Sequence, residues 1–128
     1  MSDAPENEPS TEGDPEATAL VVIADHVIAD IVGWTVLECY GVVGMASPNL
    51  VRGVASLLSR DRLHQGIKVR QREGRLHIEL FIVVEYGLNA AEVAGNVRSQ
   101  VLYAVEQVTG RPVTDLRIHI QGVRVGDR

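Results

Sequence analysis

The sequence predicts an α+β domain: a two-layer sandwich in which a mostly antiparallel sheet of about four strands carries helices on one face. Three observations lead there. Residues 67–86 form two alternating runs joined by Glu73-Gly74, with Leu76, Ile78, Leu80, Ile82 and Val84 on one side at a period of two. Side chains alternate across a strand, so this is a hairpin with one continuous apolar face. Downstream, Val93, Val97, Val101, Ala104, Val105 and Val108 mark one side of a long helix. Finally, hydrophobic residues make up 45% of the 128-residue chain but aromatics only 4%, so the core is aliphatic and of a size for one domain.

Taken in order, Met1–Thr18 is rich in Pro, Glu, Asp, Ser and Gly without periodicity and reads as a disordered acidic tail. The domain occupies residues 19–126, beginning with Ala19–Ile23 as a short strand. Asp25 is the expected cap of a helix with Ile28, Ile31, Val32, Thr35, Val36 and Cys39 at helical spacing. Gly33 inside it implies a close approach by another element. Gly41 ends that helix, and Gly41–Met45 is a compact apolar link. Ser47-Pro48 then opens a shorter helix with a Leu50, Val51, Val54, Leu57, Leu58 stripe, and Asp61–Gly66 is a polar loop into the hairpin. Asn89 with Glu92 three residues on resembles a capping box for the long helix, which Gly110 and Pro112 stop. The last strand turns Leu116, Ile118 and Ile120 inward, with a bulge at Gly122 where the parity changes. The order is β-α-α-β-β-α-β, for which a ferredoxin-like split β-α-β arrangement is the first expectation.

The formal charge of −5 is unevenly spread. Residues 1–19 hold six acids and no base, leaving eleven acids against twelve bases in the remainder. The single cysteine, Cys39, excludes an intrachain disulfide and fits a reducing, cytoplasmic setting. The N-terminus has no basic n-region or apolar h-region. The longest apolar run, Leu80–Val84, is far short of the roughly 20 residues that cross a bilayer, so no direct membrane insertion is expected.

Residues 52–75 concentrate seven of the twelve bases (Arg52, Arg60, Arg62, Lys68, Arg70, Arg72 and Arg75) against two acids. Lys68, Arg70 and Arg72 share a strand face and, with Arg75, suit phosphate groups of a nucleic acid or anionic surface. The blander reading is a solvated sheet face partly neutralised by the acidic tail, and no aromatic residue sits in that strand for base stacking. Gly41-Val42-Val43-Gly44 matches the glycine-x-x-glycine loop of KH domains in form only, since its central residues are Val. His26, His64, His77 and His119 lack helical i, i+4 spacing; His77, Glu79 and His119 read as a solvent-side ladder, with no metal or cofactor site. No serine has the glycine context of a nucleophile elbow, and Cys39 belongs to the core, so no catalytic residue is identified. Tyr86 is expected to bury its ring. Phe81 and Val83 make the strand centre apolar on its second face as well, which demands cover from the Ser47 helix or from a second subunit.

Several stretches together resemble the alkaline shock protein family, the envelope stress response proteins of Gram-positive bacteria. They are Val22-Ile23-Ala24-Asp25 with Val27-Ile28-Ala29, then Glu38, Gly41-Val42 and Gly44-Met45. Further on come Val84-Glu85-Tyr86-Gly87, Val93-Ala94, Gln100 to Val105 with Glu106, Thr109-Gly110, and Ile118-His119-Ile120-Gln121-Gly122-Val123. The resemblance implies a small non-enzymatic protein recruited to the inner membrane face by a membrane-anchored partner; it supplies no catalytic residues. The expected function is therefore a self-associating interaction or scaffold module of the envelope stress response. The alternative is a nucleic-acid or anionic-surface binder using the basic hairpin face.

Overall fold

The computed structural model describes residues 21–49 and 57–125. Its elements are α1 (Asp25–Leu37), β1 (Val42–Met45), a 3₁₀ segment (Arg60–Gly66), β2 (Ile67–Arg72), β3 (Arg75–Glu85), α2 (Ala90–Thr109) and β4 (Asp115–Arg124). All are organised around β3, the 11-residue strand. On one side its first half pairs with β2 and its second half with β1, both antiparallel. On the other side β4 runs parallel to it, from His77↔Asp115 to Glu85↔Arg124. The α+β two-layer class predicted from the sequence is thus the one observed, a ferredoxin-like combination of hairpin and β-α-β crossover. The crossover is β3–α2–β4, but its two strands are direct neighbours, so the β-α-β unit is not the split one expected: both antiparallel partners, β2 and β1, share the other edge of β3 and leave this edge to β4.

The inward face of β3 carries Leu76, Ile78, Leu80, Ile82 and Val84, each at most 2% exposed. They meet Ile28, Val32 and Val36 of α1 and Val93, Val97, Val101 and Val105 of α2. Alternation on the strand and a 3.6-residue stripe on each helix put every one of these side chains on the buried side. A Cβ on Gly33 would stand 3.4 Å from both Ile67 Cδ1 and Leu63 Cβ, so this glycine is where α1 lies closest to β2 and the 3₁₀ segment. Helix α2 starts as expected, the Asn89 side chain accepting from the Glu92 amide, and ends on Gly110 in the left-handed conformation at φ 73°. Val108, in the last turn, is 62% exposed because the helix outruns its support there. The bulge in β4 is present: Ile82 faces Ile120 while Val83 faces Gly122, leaving Gln121 as the extra residue.

Several local expectations are corrected. Val21–Ile23 forms no strand; residues 19 and 20 lie outside the described region, as does the acidic tail. β-branched residues favour strands only where an edge is available to pair, and here Val21 and Val22 are 79% exposed. The fourth strand is instead β1, the stretch expected to be a link, because Val42, Gly44 and Met45 align with Val84, Val83 and Ile82. The N-cap of α1 is Ala24, without a side-chain cap bond; Asp25 is already helical and accepts from Gln71 Nε2 at 2.6 Å. The loop before the hairpin is the 3₁₀ segment. In the expected Ser47 helix, Ser47 Oγ accepts from the Asn49 amide, as an N-cap hydroxyl would. Residues 50–56 lie outside the described region, and Leu57 is extended, bridging Ala46.

Candidate functional site

The outer face of the sheet, away from the helices, holds most of the candidate residues in cross-strand rows. Arg72 faces Arg75; Arg70, His77 and Asp115 form the next row; Lys68, Glu79 and Arg117 the next; then Phe81 and His119. The first three rows surround a shallow hollow of about 320 Å³ lined by Lys68, Arg70, Arg72 and Arg117 together with His77, Glu79 and Asp115. Arg117 Nε lies 3.5 Å from Asp115 Oδ2, and His77 Nδ1 is 3.8 Å from the same oxygen. Among the described residues no carboxylate comes within ion-pair distance of Arg70, Arg72 or Arg75. The sequence-predicted cations Lys68, Arg70, Arg72 and Arg75 are therefore one surface, to which β4 adds Arg117; Arg52 lies outside the described residues.

Phe81 and Val83 lie on this same face, but the chain covers both. Phe81 is 7% exposed: its ring stacks on His119 with centroids 4.5 Å apart and planes 6° from parallel, and Lys68 Nζ sits 5.5 Å from its centroid. Val83 is fully buried against Ala46 and Val43. The Gln121 side chain at the bulge donates to the carbonyls of Ser47 and Pro48, each at 3.3 Å, and so ties that segment over the strand. The second apolar face thus needs no second subunit for its cover. His119 Nε2, 3.8 Å from Glu79 Oε2, is itself buried without a hydrogen-bond partner. His77, Glu79 and His119 share the outer face, but His119 stacks on Phe81 with Nε2 buried instead of joining a solvent-side ladder. No group of three or more His, Cys, Asp or Glu among the described residues is arranged to hold a metal.

The surface that sequence reasoning missed is aromatic. Of the chain's five aromatic residues, Trp34 is 60% exposed, Tyr40 74%, Tyr86 73% and Tyr103 66%. Tyr86, expected to be buried, instead follows the end of β3, where its amide donates to the Arg124 carbonyl and leaves the ring in solvent. The Glu85 amide donates to the Gly41 carbonyl, so Tyr40 flanks the same end of the sheet. On α1, Val27 is also exposed and lies with Trp34 on the side away from the buried Ile28, Val32 and Val36, while Ile31 between them packs against the core edge. The scarcity of aromatics was the signal available: an aliphatic core has no need of them. Two titratable groups are shifted. Burial pushes the Cys39 thiol up, with the Glu38 carboxylate adding to it. The Ser59 hydroxyl, donating to Asp61 Oδ1 at 2.7 Å, holds the Asp61 carboxyl below its usual range.

A small α+β domain with a charged open sheet face, exposed aromatics and no identified catalytic residue is the class defined so far. The chain belongs to the alkaline shock protein 23 family, described as having a cell envelope-related function, whose profile matches residues 13–125. Among its relatives, YloU of Bacillus subtilis (strain 168) is 41% identical over 104 residues, 80% of this chain and 87% of YloU. Spy1614 of Streptococcus pyogenes serotype M6 is 29% identical over 107 residues, 83% of this chain and 88% of that protein. Among solved structures, a doubly substituted MamM CTD aligns with a TM-score of 0.52 at 11% identity, covering 81% of this chain and 97% of that one. At that identity the likeness is one of fold alone. No helix among the described residues is long and apolar enough to cross a membrane.

Proposed function

We propose that this protein is a non-enzymatic interaction module of the cell envelope stress response, self-associating and brought to the cytoplasmic membrane face by a membrane-anchored protein partner. The observation that carries the reading is the exposure of four of five aromatic side chains. Aromatic residues are enriched where proteins meet, since they offer large contact area for little lost side-chain entropy. With Phe81 and Val83 buried by their own chain, the contact falls to Trp34 with its α1 neighbours and to the Tyr40–Tyr86 end of the sheet. Trp34 is the only tryptophan, so its emission reports directly on that face. Light scattering across concentration should show a dimer or larger species insensitive to salt, with Trp34 emission moving to shorter wavelength as it forms. Trp34→Lys or the pair Tyr40→Lys, Tyr86→Lys should return a folded monomer. A wild-type chain that stays monomeric at every concentration counts against self-association.

A second reading is favoured by the carboxylate-poor edge at Arg70, Arg72 and Arg75: a nucleic-acid or anionic-surface binder. It requires affinity that falls steeply with salt as counterions are released and re-condense; salt-independent or absent binding to a duplex and to anionic vesicles removes it.

A further inference from the structure

We propose that the open basic half of the outer sheet face is the docking site of the chain's own acidic segment, residues 1–20, which lies across Lys68, Arg70 and Arg72. This inference stands on different residues from the aromatic surface and does not depend on self-association. Its first ground is an imbalance on the face. Arg117 is engaged by Asp115, and Lys68 has Glu79 opposite it, while Arg72 stands directly opposite Arg75. Like charges paired across strands disfavour the hairpin unless an anion lies between them.

The second ground is the pattern of the segment. Residues 1–20 contain six carboxylates and no base, and Glu12, Asp14 and Glu16 alternate at a period of two. In an extended chain such residues share one side at a spacing of about 7 Å, the same spacing that separates Lys68, Arg70 and Arg72 along β2. Pro15 between two of these acids lacks an N–H, so the contact is side chain to side chain rather than an added strand.

The third ground is where the segment joins the fold. Val21–Ile23 runs beside the hairpin turn, next to Gln71, Glu73 and Gly74, and the Ile23 carbonyl accepts from Gln71 Nε2 at 3.0 Å. From Val21 back to Glu16 is five residues, a reach of up to about 18 Å, comparable to the length of β2. Exposed ion pairs are individually weak, but a short tether holds the acids at an effective concentration on the order of millimolar.

The test uses Lys68, which is the chain's single lysine. Carbodiimide condenses a carboxylate with Lys68 Nζ into an amide, the carbodiimide taking up the water as its urea, and only groups in direct contact are joined. On the full chain at low salt, digestion and mass spectrometry of the monomer should find Lys68 coupled to Glu12, Asp14 or Glu16. The yield should fall several-fold in high salt and in the Arg70→Gln, Arg72→Gln variant. Lys68 coupled to Glu79 alone, or to the acidic segment only in cross-linked dimers, overturns the proposal. A second measurement avoids the lysine. In the full chain carrying Glu12→Gln, Asp14→Asn and Glu16→Gln, amide resonances of β2 and of His77 and Arg117 should move while α1 and α2 stay put. An unchanged spectrum at those positions also overturns it.

Discussion

At the scale of single residues, Phe81 shows how far position in the fold overrides residue type. An aromatic on the solvent side of a strand invites a partner, yet this one is closed in by His119 beneath it and Lys68 beside it. Phe81→Ala should therefore cost about 3 kcal/mol of stability by urea unfolding, as deletion of a buried ring does, while leaving the solution mass unchanged. Gly66 makes a similar case in backbone terms. A Cβ there would sit 2.6 Å from the Ala46 carbonyl oxygen, where the chain leaving β1 crosses the entry to β2. Gly66→Ala should cost roughly 1–3 kcal/mol, the usual range for overpacking, and an unperturbed melt would mean that the crossing relaxes freely. Asp61 is a surface group with a pH signature. Its carboxyl is held below the ordinary value of 3.8 chiefly by the Ser59 hydroxyl. The bond's contribution is thus present above the unfolded-state pKa and lost as pH falls through the lower folded-state pKa. Carbon-detected NMR should find Asp61 titrating below an ordinary aspartate, with Ser59→Ala moving it back up.

At the scale of elements, the cap and stop of α2 are local chemistry and were legible without tertiary information, whereas the cap expected at Asp25 for α1 was not the one formed. The Asn89 side chain, accepting from the Glu92 amide, and the left-handed Gly110 bound α2 as side-chain chemistry and permitted backbone angles dictate. Asn89→Ala should lower stability by about 1 kcal/mol, read as an earlier loss of helical circular dichroism on heating. β1 is the opposite case. Four residues with a glycine among them carry too little alternation to announce a strand. They become one because the second half of β3 extends past β2 and leaves backbone donors and acceptors that must be paired. The run 19–23 has the better strand composition, but its described part finds no edge to join. Composition proposes a strand; an unpaired edge decides whether it forms.

At the scale of the whole molecule, the two faces of the sheet have separate duties. The inner face, with α1 and α2, is an aliphatic core that holds the buried Cys39 thiol and raises its pKa. Cys39 should accordingly resist alkylation in the native state and react quickly only after unfolding; rapid labelling of the folded chain would mean that α1 opens readily. The outer face is divided at the Gln121 bulge: there Ala46 and Val43 cover Val83 and Gln121 holds the Ser47 and Pro48 carbonyls, while none of the described residues covers the cationic rows. The aromatic residues excluded from the core stand on the helices and at one end of the sheet.

By itself the sequence determined the α+β class, the hairpin, the long helix with both its ends, the Gly122 bulge and the family, because each of these rests on periodicity or on residue order within a short stretch. Tertiary structure alone decided what pairs across long separations. It put β4 parallel beside β3, so that His119 lies under Phe81 and Arg117 joins the cations of β2. It brought Ala46 over Val83 and left Tyr86 in water. The reason is physical: the face on which a side chain sits follows from local backbone geometry, but whether that face is covered depends on chain that arrives from elsewhere.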